Sequence, residues 1–156
     1  MLLGKDIKTT VNTLVERYKT RNPFELAEYL NIMICDSDIG ELKGFYIYKQ
    51  RKRIIFINQN LQNTEAYKFR DMVAAHELGH AILTPRCSCY FFSDDTFFLK
   101  SKPEIEANTF AAELLISDLD IYSNPEMNYS QLSRLLGYSE HLLHLKNTIG
   151  FNAHSA

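Results

Sequence analysis

The sequence predicts an α+β protein. Helices come first, then a small, mainly antiparallel sheet, two packed core helices and a helical C-terminal tail. Three observations predict it. Apolar residues recur at helical spacing near both ends of the chain. Two β-rich runs, 45–48 and 54–57, flank a short polar connection. A long helical run, 65–83, is apolar on nearly every side, as a helix enclosed by protein must be.

Taken in order, residues 5–20 place Ile7, Val11, Leu14, Val15 and Tyr18 on one helical stripe. Pro23 suits the first turn of a second helix, with Asn22 as its cap. "IMICDS" reads as a short strand. "GFYIYKQRKRIIFIN" reads as a hairpin whose "KQRKR" connection is a solvated turn or a phosphate contact. Asn63 or Thr64 is positioned to cap the long helix, which must end before Pro85. Residues 86–101 suggest two short aromatic strands around "SDD". A helix over "KPEIEANTFAAELLIS" follows. The tail reads as helix, Gly137 turn, helix, with Ser139 as cap.

The 156 residues amount to one domain, 1–156, with 128–150 as a helical subregion. Apolar residues make up 46%, enough for a substantial core. No apolar run reaches a membrane span, and the N-terminus lacks the long apolar stretch of a secretory signal. The expectation is a cytoplasmic protein that does not enter a membrane. A net charge of −2 gives no bulk electrostatic reason to bind nucleic acid. Cys35, Cys87 and Cys89 are an odd set, expected to remain free thiols.

The chemistry concentrates in "AAHELGHAIL", residues 74–83. In a helix His80 lies only about 40° around from His76, so both imidazoles can reach one ion. Two imidazoles on a stiff helix are half of a tetrahedral zinc site. Glu77 lies about 100° from His76, poorly aimed at an ion but well aimed at a water beside it. The alternative is a core helix with two stray histidines. Met72, Val73, Leu78, Ile82 and Leu83 surround these groups, and burying three polar side chains there is costly unless each is paired. A metal pairs all three. Gly79, mid-helix at a cost of about 1 kcal/mol, suggests that another backbone comes close.

A hydrolytic zinc takes a third protein ligand and leaves a position for water. His141, His144, His154, Cys87 or Cys89, Asp94, Asp95 and the acids of "PEIEANTFAAELL" are all available. Along that last helix the apolar face is Ala107, Phe110, Ala111, Leu114 and Leu115. Glu104 lies about 60° from its centre, Glu106 about 100° and Glu113 about 120°. Glu104 therefore stands best at the core's edge. "SKPE" is also a capping box in which Glu104 would turn back to Ser101, and spacing alone leaves both roles open. Asn108, one turn on from Glu104, could hydrogen-bond a ligating histidine's second nitrogen.

"AAHELGHAIL" followed by "EIEANTFAAELLIS" resembles the ImmA/IrrE metallopeptidases of bacteria, phages and mobile elements, over most of the chain. The resemblance implies a gluzincin-like fold. It makes His76 and His80 ligands of Zn2+, Glu77 the catalytic base and Glu104 the third ligand, which favours ligation over capping. It also implies a substrate class, helix-turn-helix repressors, cut to release a phage, mobile element or stress regulon. The family's usual proline after "AAELLI" is Ser117 here.

In such a site Glu77 would take a proton from the attacking water and pass it to the leaving amine. Tyr122, His141 and His144 are candidates for a second oxyanion donor. The "CYFF" segment could offer an edge to an extended peptide or be a core strand. Two other classes remain: a folded antirepressor that only binds, and a DNA-binding module built on "QLSRLLGYSEHLLHLKN". The second helix of that segment has few base readers or phosphate-binding neighbours, so direct nucleic-acid binding is not expected.

Overall fold

A computed structural model describes residues 4–90 and 101–146. Helix α1 spans Gly4–Tyr18 and α2 Pro23–Tyr29. The strands are β1 (Ile32–Ser37), β2 (Gly44–Lys49), β3 (Lys52–Asn58) and the two-residue β4 (Cys89–Tyr90). The later helices are α3 (Phe69–Leu83), α4 (Lys102–Leu115), α5 (Asp118–Tyr122), α6 (Tyr129–Leu136) and α7 (Glu140–Leu145).

The sheet order is β1-β3-β2-β4. β2 runs antiparallel to both neighbours, and β1 lies parallel to β3. The sheet is therefore mainly antiparallel, as expected. Alternation along each strand sorts its side chains. Tyr46, Ile55 and Ile57 are fully buried, while Phe45 and Phe56, directly opposed in register, stack at 4.8 Å. The hairpin turns at Gln50 and Arg51, both left-handed with φ of 51° and 63°. Of "KQRKR" only Gln50 and Arg51 form the turn; Lys49 ends β2, and Lys52 and Arg53 lie in β3, so the strands run further than β-propensity suggested.

Helix α3 packs between the sheet on one side and α4 on the other, with α2 also against it. Every residue from Met72 to Ala81 is buried as a result. This enclosure explains why its sequence shows no polar stripe. Helix α4 in turn contacts α1 and α7. One apolar core runs through these layers, from Ile7 and Val11 to Leu142 and Leu143. No helix among the described residues is long and apolar enough to cross a membrane.

The local punctuation mostly works as read. Asn22 accepts the Phe24 and Glu25 amides over Pro23. Gly137 ends α6 at φ 77°, and Ser139 accepts the Leu142 amide at the start of α7. The start of α3 differs. Thr64 and Tyr67 close a turn of their own, and the helix begins at Phe69 after Lys68. Asn63 still caps it from outside: its side chain accepts the Asp71 amide at 3.2 Å and donates to the Asp71 carboxylate at 2.8 Å.

Helix α5 was not foreseen, although its signal was present. Ser117 and Asp120 form a reciprocal capping box, so Ser117 starts a new helix. Neither Cys35 nor Cys87 is in a disulfide. The expected aromatic strands reduce to β4 among the described residues. The rest of that segment, with Asp94 and Asp95, and also His154, lies outside them.

Candidate metal centre

Helix α3 carries His76 and His80 one turn apart, and α4 brings Glu104 across to meet them. The approach is set by Gly79. A Cβ there would lie 3.1 Å from the Ala107 Cα and also 3.1 Å from the Ala107 carbonyl oxygen. Only a glycine lets the two helix backbones come this close, which answers why a helix breaker sits in the middle of α3.

The donor atoms converge. The two Nε2 atoms are 3.1 Å apart. Glu104 Oε2 is 3.3 Å from His76 Nε2, and its Oε1 is 3.3 Å from His80 Nε2. A tetrahedral ion with bonds of about 2.0–2.1 Å separates its donors by about 3.3–3.4 Å, so the triad has the dimensions of a metal site. Among the described residues, His76, His80 and Glu104 are the group that could hold an ion.

Ser101 occupies the N-cap position of α4 but makes no side-chain cap hydrogen bond, and the Glu104 side chain faces the histidines. The packing of α4 on α3 brings the Glu104 carboxylate within 3.3 Å of both imidazoles. Glu106, partly buried, lies 3.8 Å from Lys102 rather than at the histidines. Asn108 lies where expected, its Oδ1 2.6 Å from His76 Nδ1. As the amide oxygen can only accept, Nδ1 carries the proton and Nε2 presents a lone pair toward the triad.

Burial is nearly complete. His76, Glu77 and His80 are each 1% exposed. That burial lowers the His76 pKa, with the nearby His80 charge adding to the effect, so the imidazole is held in its neutral, ligating form. Burial likewise raises Glu77 well above the ordinary carboxylate value, with the Glu104 charge adding. Glu104 is pushed up by burial too, but its close contacts with the two imidazoles outweigh this and hold it low, at about 2. Glu77 Oε2 and Glu104 Oε2 are buried with no hydrogen-bond partner among the described residues. Such orphaned carboxylate oxygens are costly unless an ion or a water completes them. The residues present therefore fit a divalent metal with an adjacent water.

The three candidates for an oxyanion donor lie on α5 and α7. Tyr122 is exposed on α5, His144 is exposed and packs edge-on against Tyr129 at 4.3 Å, and His141 is half-buried on α7. Helix α7 is anchored at its end by Lys146, whose Nζ meets the Glu113 carboxylate at 2.5 Å. Glu113 is about 13 Å along the axis of α4 from Glu104. Two features went unread in the sequence. Glu113, placed off the apolar face by angle, is buried through its pairing with Lys146. Gly44, an interruption at the head of a β-rich run, lies against Glu77.

An α+β fold that buries a His-Glu-x-x-His helix beside a third acidic group defines the metallopeptidase class. Residues 27–146 match the family model of the IrrE N-terminal-like domain. The chain is 42% identical over 144 residues to an "Uncharacterized immunity region protein 2" of Bacillus phage phi105, spanning 90% of this chain and 89% of that protein. It is 32% identical over 117 residues to the Metallopeptidase ImmA of Bacillus subtilis (strain 168), spanning 74% of this chain and 66% of that protein. No solved structure matches. The chain belongs to the ImmA/IrrE family of metallopeptidases.

Proposed function

We propose that this protein is a zinc-dependent endopeptidase that cleaves a helix-turn-helix repressor and so relieves repression of a phage, mobile element or stress regulon. The observation that carries the reading is the buried Glu77 Oε2, without a hydrogen-bond partner among the described residues, beside a triad of metal-site dimensions. His76, His80 and Glu104 would hold the ion, and two imidazoles with one carboxylate are a donor set that suits zinc. When bound, the metal supplies Lewis acidity to a water and to the scissile carbonyl.

The chain's own groups do the rest. Glu77 takes a proton from the attacking water and returns it to the departing amine. Asn108 fixes the ring of His76. A relative from a phage immunity region and another named a metallopeptidase support a repressor as substrate. The cytoplasm is where such a repressor works.

The DNA-binding alternative finds less support. Helix α7 has six residues, and Lys146 at its end is engaged by Glu113 and Asp118 rather than presented outward.

The test is co-expression of wild type or Glu77→Gln with the repressor encoded beside the gene, read as repressor fragments and reporter derepression. The amide keeps the shape but cannot take the proton, so cleavage should fall about 10²- to 10⁴-fold while zinc stays bound. A variant that derepresses fully with intact repressor would instead make the protein an antirepressor that acts by binding.

A further inference from the structure

Gly44 opens β2, the strand next to the outer strand β4. A Cβ built there would lie 2.7 Å from Val73 Cγ1, 3.1 Å from the Phe56 carbonyl oxygen and 3.3 Å from Glu77 Cγ. Val73 and Glu77 are one turn apart on α3, so the bare backbone of Gly44 presses on the face that carries Glu77. The contact falls on the stem of that side chain. Its Oε2 meanwhile has no hydrogen-bond partner among the described residues. A Cβ at Gly44 would press on that stem and redirect the carboxylate.

Gly44 is itself held firmly. The loop before it is tied to Asn58, which is 5% exposed. Asn58 Nδ2 donates to the carbonyls of Gly40 at 2.9 Å and Leu42 at 2.8 Å, and the Asn58 amide donates to the Lys43 carbonyl at 2.9 Å. Asn58 Oδ1 accepts the Asn60 amide at 3.0 Å. A buried amide that spends its donors on two loop carbonyls fixes the path of the chain into Gly44.

We infer that Gly44 is a positioning residue for Glu77: the absence of a side chain at the head of β2, secured by Asn58, gives the carboxylate its orientation toward the reacting water. The inference rests on the peptidase reading of the site. Gly44 touches neither the triad nor a substrate in this account. It acts only through Glu77.

The test uses the zinc-loaded full chain and acetohydroxamic acid. This small chelator binds zinc through two oxygens and relies on a correctly placed carboxylate to take its hydroxyl proton. Zinc affinity is measured separately, by competition with a chromophoric chelator. In Gly44→Ala, hydroxamate affinity should fall about tenfold while zinc affinity stays within about threefold, since small misplacements of a reacting group cost more than loosened packing. Adding Val73→Ala removes the atom at 2.7 Å and should restore most of the hydroxamate affinity.

Gly44→Ala binding hydroxamate as wild type does would overturn the inference. So would loss of zinc in the same proportion, or no recovery in the double variant. If Gly44→Ala does not fold, Asn58→Ala decides: it must weaken hydroxamate binding and spare zinc, and an unchanged hydroxamate affinity rejects the idea. Wild type that takes up neither zinc nor hydroxamate would sink the peptidase reading itself, which keeps the two failures apart.

Discussion

His76 and Asn108 lie on different helices, 32 residues apart in the chain, and meet at 2.6 Å in the protein interior. The contact fixes both the tautomer and the plane of the ring. Asn108→Ala should weaken zinc binding about 10- to 100-fold, as loss of such supporting hydrogen bonds usually does. Asn108→Asp keeps an acceptor and should bind nearly as wild type does. Chelator competition measures both, and equal affinity in Asn108→Ala would remove the role given to this contact.

Glu104 and Glu106 provide a matched pair of substitutions on one helix. Glu104→Ala deletes a donor of the triad and should leave the purified protein well below the about one zinc per chain that a three-ligand site holds. Among the described residues Glu106 pairs with Lys102 and is not one of the triad. Glu106→Ala should retain the metal. Elemental analysis showing the reverse order would return Glu104 to a capping role.

Gly79→Ala tests the seam between α3 and α4. Helix propensity alone would favour alanine by about 1 kcal/mol. The added methyl instead meets the Ala107 Cα, the Ala107 carbonyl oxygen and the Phe110 Cβ, each at 3.1 Å. Overpacking of this kind costs about 1–3 kcal/mol, so net destabilisation is expected in urea unfolding. Zinc affinity should fall with it, because α4 carries Glu104. A more stable variant would show that the helices have room to spare.

Lys146 and Glu113 form an ion pair whose side chains are 2% and 1% exposed. Lys146→Ala removes a cation paired with this buried carboxylate and should cost about 3–5 kcal/mol by chemical denaturation. Lys146→Met with Glu113→Leu removes both charges and should recover most of that loss. If the double variant is no better than the single one, the pair itself contributes the stability.

Asp118 gives a pH signature. Burial raises its carboxyl, but hydrogen bonds and charge from Lys146 and Lys8 outweigh this and hold it below its ordinary value of 3.8. A carboxyl that is more acidic in the folded state adds stability above its unfolded pKa and loses it as pH falls through the folded one. The Tm of wild type should therefore exceed that of Asp118→Asn near neutral pH. The gap should close as the pH drops below 3.8. A gap that is unchanged down to strongly acid pH would exclude the ionic contribution.

What the sequence determined by itself is what short-range geometry can carry. The spacing of His76 and His80 places them on one helix face whatever surrounds the helix. Asn22 with Pro23, and Gly137 with Ser139, mark helix ends through contacts within a few residues. Alternation in the hairpin assigns Tyr46 and Phe45 to opposite faces of the sheet. The resemblance to a known family was also legible, because its two motifs are local strings of residues.

Tertiary structure decided everything that depends on how close two segments come. "SKPE" is a sound capping box in isolation, and only the crossing of α4 over α3 at Gly79 turns Glu104 to the histidines. Asn63 caps α3 from beyond an intervening turn, which no fixed offset along the chain reveals. Glu113 looked peripheral by its angle on α4 until α7 brought Lys146 over it. Gly44 matters to Glu77 only because the sheet lies against α3. Periodicity reports which face of an element is apolar, whereas the distance between faces is set by the side chains missing at the contact, here those of Gly44 and Gly79.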